Sequence, residues 1–143
     1  MAEVFVTRSA GETQALGVEL GRSLAPGEVV AFFGDLGSGK TCMIQGICQA
    51  LEVTDYVTSP TFILINEYGG KLGGSIVSIY HFDLYRLGGP DELETLGAEE
   101  YFYGSGVCVV EWAERAGDLL PERCREVRLE HVEGDERRIE ISG

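Results

Sequence analysis

The chain has 143 residues, 44% of them hydrophobic, which suits one domain with a real core. Its 24 acidic and 11 basic side chains leave a formal net charge of -13. That balance disfavours stand-alone nucleic-acid binding, which relies on cationic contacts to phosphate. It suits a basic protein partner, or a nucleotide whose charge is met locally by lysine, backbone amides and a metal. The longest apolar runs are about five residues, against the ~20 a membrane helix needs.

In chain order, "EVFVT" (3–7) alternates as a short strand. In "SAGETQALGVELGRSL", Ser9 and Glu12 stand at capping-box spacing, and Leu16, Leu20 and Leu24 recur every four residues, so an amphipathic helix is expected. Pro26-Gly27 ends it. "EVVAFF" (28–33) is a nearly continuous apolar run, as in a strand covered on both faces. A glycine loop follows, then a helix over "TCMIQGICQAL".

Ser59-Pro60 in "VTSPTFILINEY" marks a turn before a strand. "GGKLGGS" (69–75) reads as a flexible connection to a second strand in "IVSIYHFDLYRL", and the short link predicts an antiparallel pair. "GPDELETLGAEEYF" reads as one or two short acidic helices, with Pro90 near a helix start. "GVCVVEW" is another buried strand, "AERAGDLLP" a short helical stretch, and the end a hairpin centred on Gly134-Asp135. The expected fold is α/β: a three-layer sandwich of the P-loop NTPase kind around a mixed parallel and antiparallel central sheet, in a single domain over 1–143.

Cys42, Cys48, Cys108 and Cys124 show neither CxxC spacing nor a ligand pattern with His81 or His131, so reduced core thiols are expected. "MAEVFVTRSAGE" lacks a basic stretch ahead of an apolar core, so no signal peptide is expected, and the protein is expected in the cytoplasm.

The chemistry concentrates in "GDLGSGKT". Gly34, Asp35, Leu36, Gly37, Ser38, Gly39, Lys40 and Thr41 fit G-x-x-x-x-G-K-[ST] in full. A triphosphate must lie against backbone N–H groups, and glycines keep Cβ atoms out of its way. The following helix offers its N-terminal amides and partial positive charge. Lys40 is expected to reach the β and γ phosphates, and the Thr41 hydroxyl to bind Mg²⁺.

Such a site needs an acid at the end of a second buried strand. Glu111 follows the unbroken run "GVCVV" and is preferred as the magnesium-linked acid; Asp83 follows the more broken "SIVSIYHF" and is expected to position water or support the site. Ser59 and Thr61, around Pro60, are hydroxyls on a stiffened loop, a pattern equally compatible with sensing a γ-phosphate and with an ordinary ST-turn. Trp112, the only tryptophan, follows Glu111 and by burial statistics alone reads as core. "HFDLYR" gathers His81, Asp83, Tyr85 and Arg86, a grouping equally compatible with a satisfied polar cluster.

"GDLGSGKT", "SPTF", "YHFDLYRL" and "VVEWAE", in this order and over essentially the whole chain, resemble the TsaE (YjeE) family. These are bacterial P-loop ATPases of the pathway that makes N6-threonylcarbamoyladenosine in tRNA. The resemblance implies ATP/ADP and Mg²⁺ as cofactors. Lys40, Thr41 and the cradle through Cys42 would bind nucleotide, Thr41 and Glu111 would hold the metal, and Asp83 would be a functional carboxylate. It makes Trp112 a functional aromatic and places Thr61 in a switch-like loop. It also implies the TsaB and TsaD proteins as partners, with tRNA met only indirectly, and ATP hydrolysis that resets their complex.

The family often has alanine at Ser38, threonine or a similar residue at Cys42, and proline at Ala113. Ser9, at the first helix start, and Arg137, beyond the final turn, are candidates for contact with the base. No N-K-x-D string supports a GTPase, and no arginine-rich lid supports a small P-loop kinase. A nucleotide-dependent binding switch with little hydrolysis is the third reading.

Overall fold

The computed structural model describes residues 2–35, 37–55, 57–58 and 65–143. Among these, seven strands form one sheet in the order β1-β7-β6-β2-β5-β4-β3. The strands are β1 (Glu3–Thr7), β2 (Val29–Phe33), β3 (Ile65–Leu72), β4 (Ser75–Asp83), β5 (Val107–Glu111), β6 (Arg125–Glu133) and β7 (Glu136–Ser142). β2 pairs in parallel with β5 and β6, and β4 with β5. β3 against β4, β6 against β7 and β1 against β7 are antiparallel. The centre is therefore parallel and both edges antiparallel, the mixed sheet expected from the sequence.

The helices α1 (Ala10–Arg22) and α2 (Lys40–Ala50) cover one face, where Leu16, Leu20, Met43, Ile44 and Ile47 meet Val30, Phe32, Ile79 and Val109. The short helices α3 (Pro90–Thr95) and α4 (Ala98–Phe102), with 3₁₀ turns over Ala113–Leu119, cover the other, around Phe82, Phe102, Cys108 and Val110. The unbroken apolar runs of β2 and β5 follow from this: each is buried from both sides.

α1 and α2 touch through glycine. A Cβ on Gly17 would lie 2.1 Å from the Met43 carbonyl oxygen, and one on Gly46 2.1 Å from that of Gln14. Only hydrogen at both positions lets the two backbones approach this closely. Ser9 caps α1, accepting a hydrogen bond from the Glu12 N–H at 3.1 Å. The Glu12 carboxylate reaches back one residue further than a capping box requires, to the Arg8 N–H at 2.8 Å.

Two boundaries differ from expectation. The stretch at 69–75 is mostly strand: β3 runs to Leu72 and β4 begins at Ser75, leaving Gly73-Gly74 as a two-residue turn with φ of 60° and 85°. Both central residues at positive φ match the twist of a tight hairpin, so only these two of the four glycines act as linker. The strand expected over "IVSIYHFDLYRL" stops at Asp83, where Leu84 leaves β4 through a turn. Ser59, Pro60, Thr61 and Leu36 lie outside the described residues. No helix among the described residues is long and apolar enough to cross a membrane.

Candidate functional site

β2, β4 and β5 run parallel and end side by side. Phe33 leads into the glycine loop, and Asp83 stands in register with Glu111. Ligands of open α/β sheets bind off these carboxyl ends. Here they frame a cavity of about 510 Å³, lined by Ala10, Thr13, residues 37–42, Asp83, Tyr85, Arg86, Glu111, Trp112, Asp135 and Arg137.

The loop is built for close backbone approach. A Cβ on Gly34 would fall 2.6 Å from the Leu129 carbonyl oxygen and 2.7 Å from Ser38 Oγ, so the turn out of β2 admits only glycine. α2 starts at Lys40 after Gly39 and without a side-chain cap, so the positive end of its dipole lies at the cavity wall formed by residues 37–42. Lys40 is only 5% exposed. Its ammonium donates to the Gly34 carbonyl and lies 3.6 Å from the centre of the Trp112 ring. Burial pushes the Lys40 pKa below the ordinary lysine value, against the pull of the Glu111, Glu114, Asp83 and Asp35 carboxylates.

Glu111 is 3% exposed, and both its oxygens are engaged. Thr41 Oγ1 donates to Oε1 at 3.3 Å, and His81 Nε2 lies 2.6 Å from Oε2. Asp83 is half-buried, with Oδ1 accepting from the Tyr85 N–H at 3.0 Å. Burial, with the Glu111 charge adding, pushes its carboxyl above the ordinary range despite that bond.

Trp112 sits in the left-handed region at φ 57° and ψ 44°, rare for a bulky side chain, and its indole packs against Tyr85 with centroids 4.9 Å apart. It is therefore a wall of the cavity as well as a neighbour of the core. Arg137 donates to the Gly37 carbonyl at 3.0 Å, tying the β6–β7 hairpin to the loop. Cys42 Sγ contacts the Ala10 carbonyl at 3.1 Å, joining the starts of α2 and α1.

A family model, "Threonylcarbamoyl adenosine biosynthesis protein TsaE", matches residues 7–139. The chain belongs to the TsaE family. It is 39% identical to a TsaE of Treponema pallidum over 137 residues, 96% of this chain and 98% of that one. It is 40% identical to that of Bacillus subtilis over 128 residues, covering 90% and 77%. Both relatives are called tRNA threonylcarbamoyladenosine biosynthesis protein TsaE. The fold superposes on the crystal structure of Bacillus subtilis YdiB with a TM-score of 0.83 at 33% identity, covering 99% of this chain and 84% of that one.

Within this TsaE-family site, Gly37 through Cys42, Asp83, Glu111, Trp112 and Arg137 line one cavity. Gly34 and Asp35 stand behind it as the turn that Lys40 and Ser38 bond to. Ser9 is not among the lining residues: its hydroxyl caps α1, and Ala10 and Thr13 from the same helix line the wall. Five lining residues had no role from the sequence: Ala10, Thr13, Tyr85, Arg86 and Asp135. His81 also went unassigned. Its signal was a histidine in the buried, period-two row that leads to Asp83.

The four cysteines are free, as expected, but only Cys48 and Cys108 are buried. Burial raises their thiols to about 12; Cys42 and Cys124 are half-buried.

Proposed function

We propose that this chain is a Mg²⁺-dependent ATPase required for the N6-threonylcarbamoyl group on adenosine 37 of tRNAs that read codons beginning with adenine. It acts with the TsaB–TsaD complex and resets it between turnovers. The family supplies the pathway. The observation that carries the chemistry is the Thr41 hydroxyl 3.3 Å from the Glu111 carboxylate, beside Lys40 at the opening of α2.

The residues fit the implied groups. The steric barrier to a side chain at Gly34 keeps the cradle thin, and the oxygens of Thr41 and Glu111 are the hard donors that Mg²⁺ takes. Among the described residues no cluster of three His, Cys, Asp or Glu side chains forms a self-contained metal cage. That suits a cation held by one or two protein oxygens together with phosphate. When bound, Mg²⁺ neutralises charge on the β and γ phosphate oxygens. Thr41 and Glu111 would hold that cation, and Lys40, buried beside the Gly34 carbonyl and the Trp112 ring, would meet phosphate charge. Asp83 would orient the attacking water, a role supported by its register with Glu111 and by the Tyr85 N–H that its carboxylate accepts. Trp112 and Tyr85 pack against each other as one wall of the cavity.

The experiment is phosphate release from ATP by the purified chain, alone and with TsaB and TsaD. Mg²⁺-dependent turnover that rises with the partners is expected. Lys40→Ala or Glu111→Ala should lower it by about 10²–10³-fold. Binding without turnover in either condition would turn the protein into a nucleotide-dependent clamp, and equal turnover in Glu111→Ala would remove that residue's role.

A further inference from the structure

We infer that His81 is a positioning residue that fixes the Glu111 carboxylate so that one oxygen faces Thr41 and the metal position. The inference rests on the Mg²⁺-nucleotide reading of Lys40, Thr41 and Glu111.

Side chains alternate along β4, so Val77, Ile79, His81 and Asp83 form one row. Val77 and Ile79 belong to the core under α1 and α2, as do Val107 and Val109 of the adjoining β5 row. His81 is paired in register with Val109, and Glu111 comes two residues later, so the imidazole and the carboxylate are diagonal neighbours. The slot is as closed as those of its apolar neighbours, and His81 is 0% exposed. A β-branched apolar residue is what packing alone would select there.

The imidazole is also an incomplete fit to its surroundings. Nε2 contacts Glu111 Oε2 at 2.6 Å, but Nδ1 is buried without a hydrogen-bond partner in the described structure. Leaving a buried polar atom unmet destabilises the fold, because the atom gives up its water and gains no partner. A histidine kept only to fill space would carry that cost for nothing, so the Nε2 contact is the feature that accounts for it. In the ionised form that a metal ligand takes, the carboxylate only accepts, and Nε2–H is then the donor. The Tyr68 ring, on β3 and so across β4 from the strand of Glu111, has its centroid 6.2 Å from the imidazole at a tilt of 45°.

The consequence falls on Glu111. A glutamate has three side-chain torsions, and one pinned at a single oxygen still swings. With Oε2 held by His81 and Oε1 by the Thr41 hydroxyl, both ends are set. Oε1 is thereby presented beside the second proposed metal donor before any cation arrives. Groups that orient ligating side chains in this way change metal affinity or activity by about 10–100-fold when removed.

Three variants test this. His81→Gln carries an N–H donor at roughly the reach of Nε2, His81→Asn stops near the depth of Nδ1, and His81→Leu fills the slot with no donor. The readout is the Mg²⁺ concentration giving half-maximal enhancement of fluorescent ADP binding, with Mn²⁺ bound in the presence of ADP counted by electron paramagnetic resonance. Metal-free ADP affinity is the internal control. His81→Leu and His81→Asn should weaken the metal by about 10–100-fold, with metal-free affinity at the wild-type level, and His81→Gln should restore most of the loss. A wild-type metal response in Leu or Asn, or Gln no better than Leu, would overturn the inference. Should His81→Leu fail to fold, the comparison of Gln with Asn still decides. A wild-type protein with no metal response would instead overturn the Mg²⁺-nucleotide reading itself, and this inference with it.

Discussion

Asp83 and Glu111 end neighbouring strands in register, yet their surroundings differ. Glu111 is fully enclosed, with a donor for each oxygen; Asp83 is half-buried with one backbone N–H and a like charge beside it. Burial raises the Asp83 pKa above its unfolded value. The associated stability is therefore full below the unfolded pKa and is lost as pH rises through the folded one. Asp83→Asn removes that loss. In thermal melts it should exceed wild type at neutral pH, with the gap closing toward acid, while turnover falls. A variant that melts lower than wild type at neutral pH would contradict this. Trp112 carries the opposite lesson. Its position after Glu111 was visible in the sequence, but the left-handed backbone that turns its ring toward Lys40 depends on packing around β5 and was not.

At the scale of elements, the glycine loop, both long helices and the terminal hairpin were legible, because capping, periodicity and turn residues are local signals. The β3–β4 link was not: "GGKLGGS" is glycine-rich throughout, and only pairing with β4 makes its first half a strand. Ser9 illustrates the same limit for function, since a cap and a ligand contact use one hydroxyl. Ser9→Ala should cost about 1 kcal/mol, a drop of roughly 2–4 °C in melting temperature, with nucleotide affinity unchanged. A large fall in affinity would restore the base-contact role. The α1–α2 contact is stricter. Gly46→Ala drives a methyl against the Gln14 carbonyl, which cannot rotate away, and should destabilise by about 1–3 kcal/mol. A denaturation midpoint equal to wild type would show that the helices are free to separate.

For the molecule as a whole, the strand order could not be read from the chain. It depends on which strands flank β2, and those pairings join segments some 80 to 100 residues apart. What the order achieves is functional. It brings the end of β5 next to the glycine loop and the end of β4 next to β5, so Lys40, Thr41, Asp83, Glu111 and Trp112 share one cavity. The net charge of -13 lies on a chain whose proposed ligand is also anionic. Binding must therefore be won locally, through Lys40, amides and the metal, against an unfavourable overall field.

The most direct test uses Trp112, the single tryptophan and itself a wall of the cavity, 3.6 Å from the Lys40 ammonium. Its emission should be followed as ATP is added with and without Mg²⁺. A saturable change that tightens with Mg²⁺, and is lost in Lys40→Ala, is the result expected if Lys40 leaves the indole to meet phosphate. A flat response, with calorimetry also showing no ATP binding, would contradict the assignment of this cavity.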